Sequence, residues 1–251
     1  YHEAQQALQL RDDFLASIAH DLRSPLATIK GYTQMLQMRL GRLDLPEAQR
    51  LVEMLQRIDA TVGRMSGFLT ELLDLSRLRT GQPLELRRER VELVALVRHL
   101  VLEHQHTAPS HRLSLVASVP ELVGWWDRLR LERVLSNLLS NAVKYSPQGG
   151  QITVTVARQL DSGQEWAVLA VQDQGIGIPA EDLPHIFERF YRGRNVAGKI
   201  GGTGIGLTSA RAIVEQHGGT LTVQSIEGQG AVFTVRLPLV PGEQASTASR
   251  R

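Results

Sequence analysis

The spacing of apolar residues divides this chain into two regions. In the first third, apolar positions recur alternately three and four residues apart, which predicts amphipathic helices. One helix runs from Leu15 to Leu36 and a second from Leu51 to Leu72, with a break at residues 41–46 that begins with a glycine and ends with a proline. We expect an antiparallel helical hairpin. Because one hairpin cannot bury both of its long apolar faces, two copies should pair as a homodimeric four-helix bundle.

Beyond this hairpin the pattern alternates between strand-like and helical segments. The sequence predicts strands at 84–90, 111–117, 122–125, 151–158, 165–172, 219–225 and 230–237, and helices at 91–106, 127–145 and about 206–217. Such alternation indicates a two-layer α/β domain with the helices on one face of a mixed sheet. We therefore expect a hairpin over 1–80, a linker at 81–83, an α/β domain over 84–240 and a disordered polar tail at 241–251.

Composition narrows the class of protein. The chain has 251 residues, of which 42% are apolar, so it can bury a substantial core, and its formal charge of +2 gives no electrostatic case for a nucleic-acid partner. The absence of cysteine excludes disulfides and thiolate metal sites. No apolar run reaches the roughly 20 residues that span a bilayer. We expect the cytoplasmic portion of a protein, and because the chain does not begin with Met, an upstream sensor or membrane segment stays open.

The predicted helix at 127–145 has a polar side. Asn137, Asn141 and Lys144 lie on one side of it, and Asp127 precedes it as a candidate N-cap. An amide oxygen can ligate Mg²⁺ without adding negative charge to a site that already holds a triphosphate. Taken alone, this face is equally consistent with the solvated side of an amphipathic helix.

Two glycine segments follow this helix. Asp173 comes directly after a strand, where its carboxylate can accept a hydrogen bond from the amine of adenine while Gly175 and Gly177 let the backbone approach the base. The second segment, residues 202–207, leads into a helix whose free amides can face a phosphate. Either segment alone could be an ordinary turn. Both together, downstream of the asparagine helix, predict a nucleotide site.

The stretch between the glycine segments combines aromatic and basic residues. Phe187 and Phe190 could fix one end of a loop, while arginines and Lys199 could reach phosphate oxygens. We interpret this stretch as a mobile lid. A surface helix with an aromatic anchor is the alternative.

One histidine in the first helix is a candidate nucleophile. His20 lies on the opposite side from the apolar positions, so it points away from the bundle, and a neutral imidazole can accept a phosphoryl group. Asp21 could orient the ring, and Pro25 would loosen the helix just beyond it. For an isolated helix residue, a solvated side chain is the alternative. His104 and His106 have no third partner in the sequence, and we expect no metal there.

In this order, the segments resemble sensor histidine kinases of two-component systems. The stretch from Phe14 to Pro25 is similar to their phosphoacceptor box, and the asparagine helix with both glycine segments is similar to their ATP-binding domain. The resemblance implies a dimeric hairpin followed by an α/β sandwich of the type shared with Hsp90 and gyrase. It also implies an enzyme that uses ATP and Mg²⁺ to phosphorylate its own His20 and passes the group to an aspartate of a response regulator receiver domain.

The same resemblance implies roles for individual residues. Asn141 would hold Mg²⁺, and Asn137 and Lys144 would contact the metal–phosphate group. Tyr145 would pack near adenine, Asp173 would bind its amine, and residues 186–203 would form the lid. The remaining implied nucleotide-binding residues are Gly175, Gly177, Ile178, Phe187, Arg192, Gly202, Thr203, Gly204, Gly206 and Leu207, and the implied catalytic residues are His20, Asp21 and Ser24.

Two positions bear on the reaction. ATP-hydrolysing proteins of this fold carry a glutamate one turn before the metal-binding asparagine, where this chain has Asn137. An amide cannot take a proton from water, so the domain is suited to holding ATP for another nucleophile. An ATP-hydrolysing conformational clamp and a non-catalytic nucleotide-binding dimer scaffold are the alternatives. Ser24 replaces the family's Thr or Asn, which leaves phosphatase activity open, and the sequence does not decide between transfer within and between subunits.

Overall fold

The computed structural model describes residues 22, 26–38, 40, 51–52, 54–56, 58–59, 61–63, 65, 67, 86–196, 200 and 204–239. The chain divides into two compact units, residues 1–83 and 84–251. Several predicted features lie outside the described residues: the connection 41–46, the linker 81–83, the tail 241–251 and the side chains of His20, Asp21 and Ser24.

The described residues of the first unit are helical. Residues 26–38 form a continuous helical stretch, and so does every described residue between 51 and 67. Val62 and Thr33 are buried, and the hydroxyl of Thr33 lies 3.5 Å from Oδ1 of Asp59. These contacts pack the two helical stretches against each other, in agreement with the predicted hairpin.

The second unit is built from seven strands and three helices within residues 86–239. In chain order they are β1 (Glu89–Glu92), α1 (Leu93–Thr107), β2 (His111–Ala117), β3 (Val123–Trp126), α2 (Arg128–Lys144), β4 (Gly150–Asp161), β5 (Gln164–Gln172), α3 (Gly206–Gln216), β6 (Thr220–Ser225) and β7 (Ala231–Pro238).

Five of these strands form one mixed sheet in the order β2-β4-β5-β7-β6. The β2–β4 pair is parallel, and the other neighbours are antiparallel. The register places Val171 of β5 opposite Val154 of β4 on one side and Phe233 of β7 on the other. The short strands β1 and β3 form a separate antiparallel pair. The end of β5, where Asp173 follows, therefore lies in the middle of the sheet.

Alternate residues along the central strands are buried, which shows that the helices cover one face of the sheet. The buried residues include Ile152, Val154, Val156, Leu169, Val171, Phe233 and Val235 of the strands and Leu131, Leu135, Leu138, Ala142 and Ile213 of the helices. This arrangement confirms the predicted two-layer α/β fold. None of the helices in the described part of the chain has both the length and the apolar character that crossing a bilayer needs.

The first elements of this unit differ from the prediction. Strand β1 begins at Glu89 rather than at residue 84, and residues 86–88 have no regular structure. Helix α1 begins at Leu93 rather than at residue 91 because Glu92 is its N-cap, with Oε1 accepting from the backbone N–H of Val94 at 2.9 Å. Glutamate is outside the usual set of N-cap residues, so this boundary had no clear signal in the sequence.

The β4–β5 hairpin is also longer than predicted. The ladder continues to the pair Asp161–Gln164 and is closed by Ser162 and Gly163 alone. Both residues have positive φ, 51° and 83°, which is the geometry of the two-residue turns that match strand twist. The Ser-Gly pair was the available signal for this turn.

Candidate functional site

Helix α2 has one apolar and one polar side, as its sequence predicts. Asp127 is its N-cap, with Oδ1 accepting from the N–H of Arg130 at 3.1 Å, and this confirms the predicted helix start. On the polar side, Asn137 and Asn141 are half-buried, and Nδ2 of Asn141 donates to Oδ1 of Asn137 over 3.2 Å. Because Asn141 uses its nitrogen in this contact, its amide oxygen is left to a cation.

The last turn of α2 adds a cation and an aromatic ring to the same side. Nζ of Lys144 donates to the hydroxyl of Tyr145 at 3.2 Å and lies 4.8 Å from the centre of that ring. The N–H of Tyr145 in turn donates to the carbonyl of Asn141, at 2.9 Å. An ammonium group, two amides and a half-buried ring are thus held within two helical turns.

The first glycine segment is joined to the end of α2. The N–H of Ile176 donates to the carbonyl of Tyr145 at 3.0 Å. A Cβ atom at Gly175 would lie 2.1 Å from the same carbonyl oxygen. Only glycine therefore permits this close approach, which brings the polar end of α2 and the start of the segment together.

Asp173 is buried at the start of that segment. Its Oδ1 accepts two backbone hydrogen bonds, from the N–H of Gly175 at 2.9 Å and the N–H of Ala231 at 3.3 Å. Burial raises the pKa of Asp173, and these two hydrogen bonds oppose the shift. The described residues donate no hydrogen bond to Oδ2, so this oxygen can accept one from a ligand.

The far end of the first glycine segment packs on the β6–β7 turn. Gly177 has a φ of +63°, and a Cβ there would lie 2.1 Å from the carbonyl oxygen of Ile226. The N–H of Ile178 donates to Oγ of Ser225 at 2.9 Å. The segment is therefore fixed at both ends.

The second glycine segment reaches the asparagine pair. A Cβ atom at Gly206, the first residue of α3, would lie 2.0 Å from Nδ2 of Asn137. The N-cap of α3 is Ile205, which provides no side-chain hydrogen bond to the first turn. Among the described residues, no capping side chain accepts from the first amides of α3, which begin beside the polar face of α2, and this arrangement suits an anion. Leu207 is half-buried in this turn, and Gly202 and Thr203 lie outside the described residues.

The stretch before it contains turns and no helix between residues 180 and 196. Phe187 is half-buried, with the guanidinium of Arg211 5.2 Å from its ring and its carbonyl accepting from Oγ1 of Thr208 at 2.9 Å. Phe190 is 58% exposed, so the prediction that both phenylalanines fix the loop is wrong for this residue. Its φ of +62° lies in the left-handed region, which residues other than glycine rarely adopt.

Two of the arginines predicted to reach phosphate oxygens, Arg192 and Arg194, form contacts within this stretch. The guanidinium of Arg192 donates to the carbonyl of Val196 at 3.3 Å and to that of Ile200. Arg194 forms an exposed ion pair with Glu181 at 2.7 Å. Lys199 lies outside the described residues.

Two polar residues of this unit are buried although the sequence did not predict it. Asp182 is fully buried and accepts hydrogen bonds from the stretch 191–194. His217 is also buried and joins the ends of two helices, since Nδ1 bonds the carbonyl of Ile213 and Nε2 accepts from the N–H of Asp127 at 3.0 Å. Neither residue borders an apolar run, since Asp182 follows Glu181 and His217 follows Glu215 and Gln216, so the sequence carried no signal for their burial.

The two family models that match the chain follow the same division. Residues 10–81 match the His Kinase A (phospho-acceptor) domain, and residues 126–241 match the histidine kinase-, DNA gyrase B- and HSP90-like ATPase family. The described site residues Asn137, Asn141 and Asp173 all fall within the second match.

Individual proteins are similar over nearly the whole chain. Sensor histidine kinase RppB of a Synechocystis species is 37% identical over 93% of this chain and 50% of its own length. Sensor histidine kinase TrcS of Mycobacterium tuberculosis is 36% identical over 98% of this chain and 47% of its own length. The chain thus spans about half the length of the curated relatives it matches.

Among solved structures, a mycobacterial sensor histidine kinase, MprB, is 28% identical, with a TM-score of 0.52 over 61% of this chain and 99% of that one. The order of the two domains, the relatives and the shared fold agree with the geometry of the asparagine helix and the glycine segments. The chain belongs to the sensor histidine kinases.

Proposed function

We propose that this chain is an ATP-dependent autokinase that phosphorylates His20 and passes the phosphoryl group to an aspartate of a response regulator. The observation that carries the proposal is the contact between Asn137 and Gly206, which brings the polar face of α2 to the start of α3. Asn137 is an amide at the position where ATP-hydrolysing relatives of the fold carry a glutamate. A site of this kind can bind a triphosphate without activating water.

The adenine end of the site is assigned to the first glycine segment. Oδ2 of Asp173 accepts a hydrogen bond from the adenine amine, which selects adenine over guanine because guanine has a carbonyl at that place. Gly175 and Gly177 allow the backbone to approach the base, and Ile178 and the ring of Tyr145 line its faces. The buried, hydrogen-bonded state of Asp173 supports this assignment, since such a carboxylate is already oriented before the nucleotide binds.

The phosphate end is assigned to α2 and the second glycine segment. Asn137, Lys144 and the free amides of α3 contact phosphate oxygens, with Gly202, Thr203, Gly204, Gly206 and Leu207 forming the approach to the helix. Arg192 and Phe187 belong to the lid, residues 186–203. The amide oxygen of Asn141 fits Mg²⁺, which prefers oxygen ligands and, when bound, balances charge on the phosphates.

The proposed step transfers one phosphoryl group. An unprotonated ring nitrogen of His20 attacks the γ-phosphorus, the bond between that phosphorus and the β,γ-bridging oxygen breaks, and ADP leaves with the bonding electrons. Asp21 orients the ring by accepting a hydrogen bond from the N–H of the other ring nitrogen. In the second step, a carboxylate of the response regulator attacks the same phosphorus and His20 is regenerated.

The assembly and location belong to the same proposal. The chain forms a homodimer through its helical hairpin, whose apolar side chains are exposed in a single copy. It acts in the cytoplasm, where ATP and receiver domains are found, under the control of an upstream sensor or membrane segment.

Incubation with γ-labelled ATP and Mg²⁺ tests the proposal. We expect a label on the protein that is lost in acid and stable in base, as a phosphohistidine is, and no label on His20→Gln. Asn141→Ala should also fail to label while staying folded by circular dichroism. An acid-stable label, or full labelling of His20→Gln, would show that another residue accepts the phosphoryl group. Binding without any transfer would favour a non-catalytic scaffold.

A further inference from the structure

Asp182 is the most completely buried charged residue of the described chain, and both of its carboxylate oxygens are used. It lies in the turn after the first glycine segment, where its own N–H donates to the carbonyl of Pro179 at 2.9 Å. Its side chain is 0% exposed. Oδ1 accepts from the hydroxyl of Tyr191 at 2.7 Å, and Oδ2 accepts from the N–H of Arg194 at 2.8 Å.

This carboxylate is charged at neutral pH. The hydrogen bond from Tyr191 is the main reason that the pKa of Asp182 lies below its ordinary value, and the nearby guanidinium of Arg194, with Nε 3.8 Å away, acts in the same direction. A buried charged acceptor forms hydrogen bonds about twice as strong as those between neutral groups. Loss of either donor would therefore leave the backbone around the carboxylate less firmly held.

The chain around these contacts is shaped to fit them. A Cβ atom at Gly193 would lie only 3.1 Å from Oδ2 of Asp182, so a glycine lets the backbone pass close to the carboxylate. The neighbouring Asn195 donates from Nδ2 to the carbonyl of Gly177 at 3.0 Å. Residues 191–195 are thereby tied both to the turn that holds Asp182 and, through Asn195, to the first glycine segment.

These contacts fix the chain on both sides of Arg192. Tyr191 is held through its hydroxyl and Arg194 through its backbone N–H, so the residue between them has little freedom. The guanidinium of Arg192 in turn donates to the carbonyls of Val196 and Ile200, which lead toward the second glycine segment. Asp182 thus connects the part of the site assigned to adenine with the part assigned to phosphate.

We propose that Asp182, acting through Tyr191 and the backbone of Arg194, is a positioning residue that holds Arg192 and the start of the lid in the conformation that binds the phosphates of ATP. The inference rests on the proposed function. The contribution of Asp182 to ligand binding depends on the phosphates, so a ligand that contains only the nucleoside does not need Asp182.

The test compares ATP and adenosine on the full chain with Mg²⁺ present. The variants are Tyr191→Phe, which removes one hydroxyl, and Asp182→Asn, which removes the charge. We expect either variant to weaken ATP binding about tenfold, the effect of losing one charge-assisted hydrogen bond, with adenosine binding unchanged in NMR titrations. The KM for ATP in the labelling reaction should rise while kcat falls by a smaller factor.

Glu181→Gln is the matched control, because Glu181 is exposed and pairs with the outer end of Arg194 rather than with the backbone. This variant should bind both ligands as the wild type does. ATP binding of Tyr191→Phe equal to that of the wild type would overturn the proposal. So would an equal loss of ATP and adenosine affinity, which would mean a general structural role. If the wild type bound ATP but did not label His20, the proposed function would fail while this inference could still hold.

Discussion

Burial and ligand binding place opposite demands on Asp173. Its pKa is raised above the ordinary value of 3.8 because the carboxyl is removed from solvent. Because the pKa is raised in the folded state, the stability that the protonated carboxyl lends to the fold is fully present below about pH 3.8 and is lost as the pH rises through the raised pKa. At neutral pH the charged side chain is a cost to folding, and the proposed hydrogen bond to adenine gives this cost a functional reason.

Asp173→Asn should therefore raise the melting temperature of the ligand-free protein at pH 7 and weaken ATP binding. The amide oxygen can still accept from the N–H groups of Gly175 and Ala231, but the amide nitrogen would then face the adenine amine with a second donor. We expect an affinity loss of about 100-fold, the size seen when a buried polar group loses its partner. Calorimetry with and without ATP measures both effects, and a lower melting temperature with unchanged affinity would contradict the assignment.

His217 makes the fold sensitive to acid. Ile213 offers only an acceptor, so Nδ1 carries the proton and Nε2 must be unprotonated to accept from Asp127. Burial is the main cause that lowers the pKa of His217 below 6.5, and the nearby Arg88 and Arg130 add to it. The unfolded chain takes up this proton first, so stability falls as the pH drops below about 6.5.

We predict that His217→Gln unfolds more easily at pH 7.5, because the flexible glutamine side chain loses more conformational entropy than the rigid imidazole when it is held between Ile213 and Asp127. The variant should also have a smaller pH dependence than the wild type between pH 7 and 5. Denaturant titrations across this range give the comparison, since the other histidines are common to both proteins. Parallel pH profiles for the two proteins would show that His217 does not titrate as proposed.

At the scale of the elements, α2 and α3 approach each other closely at Gly206. Gly206 begins α3 directly against Asn137, so the distance between these helices is set by the absence of a side chain. Any added atom must move either the amide of Asn137 or the first turn of α3. Both belong to the proposed phosphate end of the site.

Gly206→Ala should accordingly reduce ATP affinity at least about tenfold, the loss expected when an oriented hydrogen-bonding group is displaced. Gly163→Ala is the control: it lies in the β4–β5 turn with a φ of +83° and open space around it, so it strains the backbone by about 1 kcal/mol without touching the site. Fluorescent nucleotide titrations of both variants decide the matter. Equal affinities would show that the α2–α3 contact is not part of the site.

The sequence predicted the positions of the helices and strands better than it predicted which strands pair and which side chains meet. Helix α2 was predicted within one residue at each end because it has a strong 3.6-residue period and Asp127 is a favourable N-cap. The pairing of β1 with β3 outside the main sheet has no local signal, since both strands are four residues long. The same is true of Asp182, whose partners lie in an irregular segment where periodicity carries no information.

At the scale of the whole molecule, the first unit leaves apolar side chains uncovered. Ile29, Leu36, Ile58 and Met65 are between 44% and 47% exposed, and all four belong to the apolar pattern that predicted the hairpin. A surface of this kind is typical of an interface. A second copy of the chain can cover it, as in the proposed four-helix bundle.

We therefore predict a dimer, with twice the 27.8 kDa of one chain, in light scattering at micromolar concentration. Ile58→Glu places a charge in the interface and should produce monomers, while Glu103→Gln on α1 should leave the dimer intact. A monomeric wild type would contradict the bundle.

The central claim is that the γ-phosphoryl group of ATP goes to His20 and not to water. The most direct measurement is the partition of γ-label between protein and free phosphate over a time course with purified chain, excess ATP and Mg²⁺. The account predicts that label accumulates on the protein toward a plateau, that free phosphate stays a minor product, and that His20→Gln binds ATP but forms neither. Steady release of phosphate by His20→Gln at the wild-type rate would contradict it and identify an ATP-hydrolysing clamp.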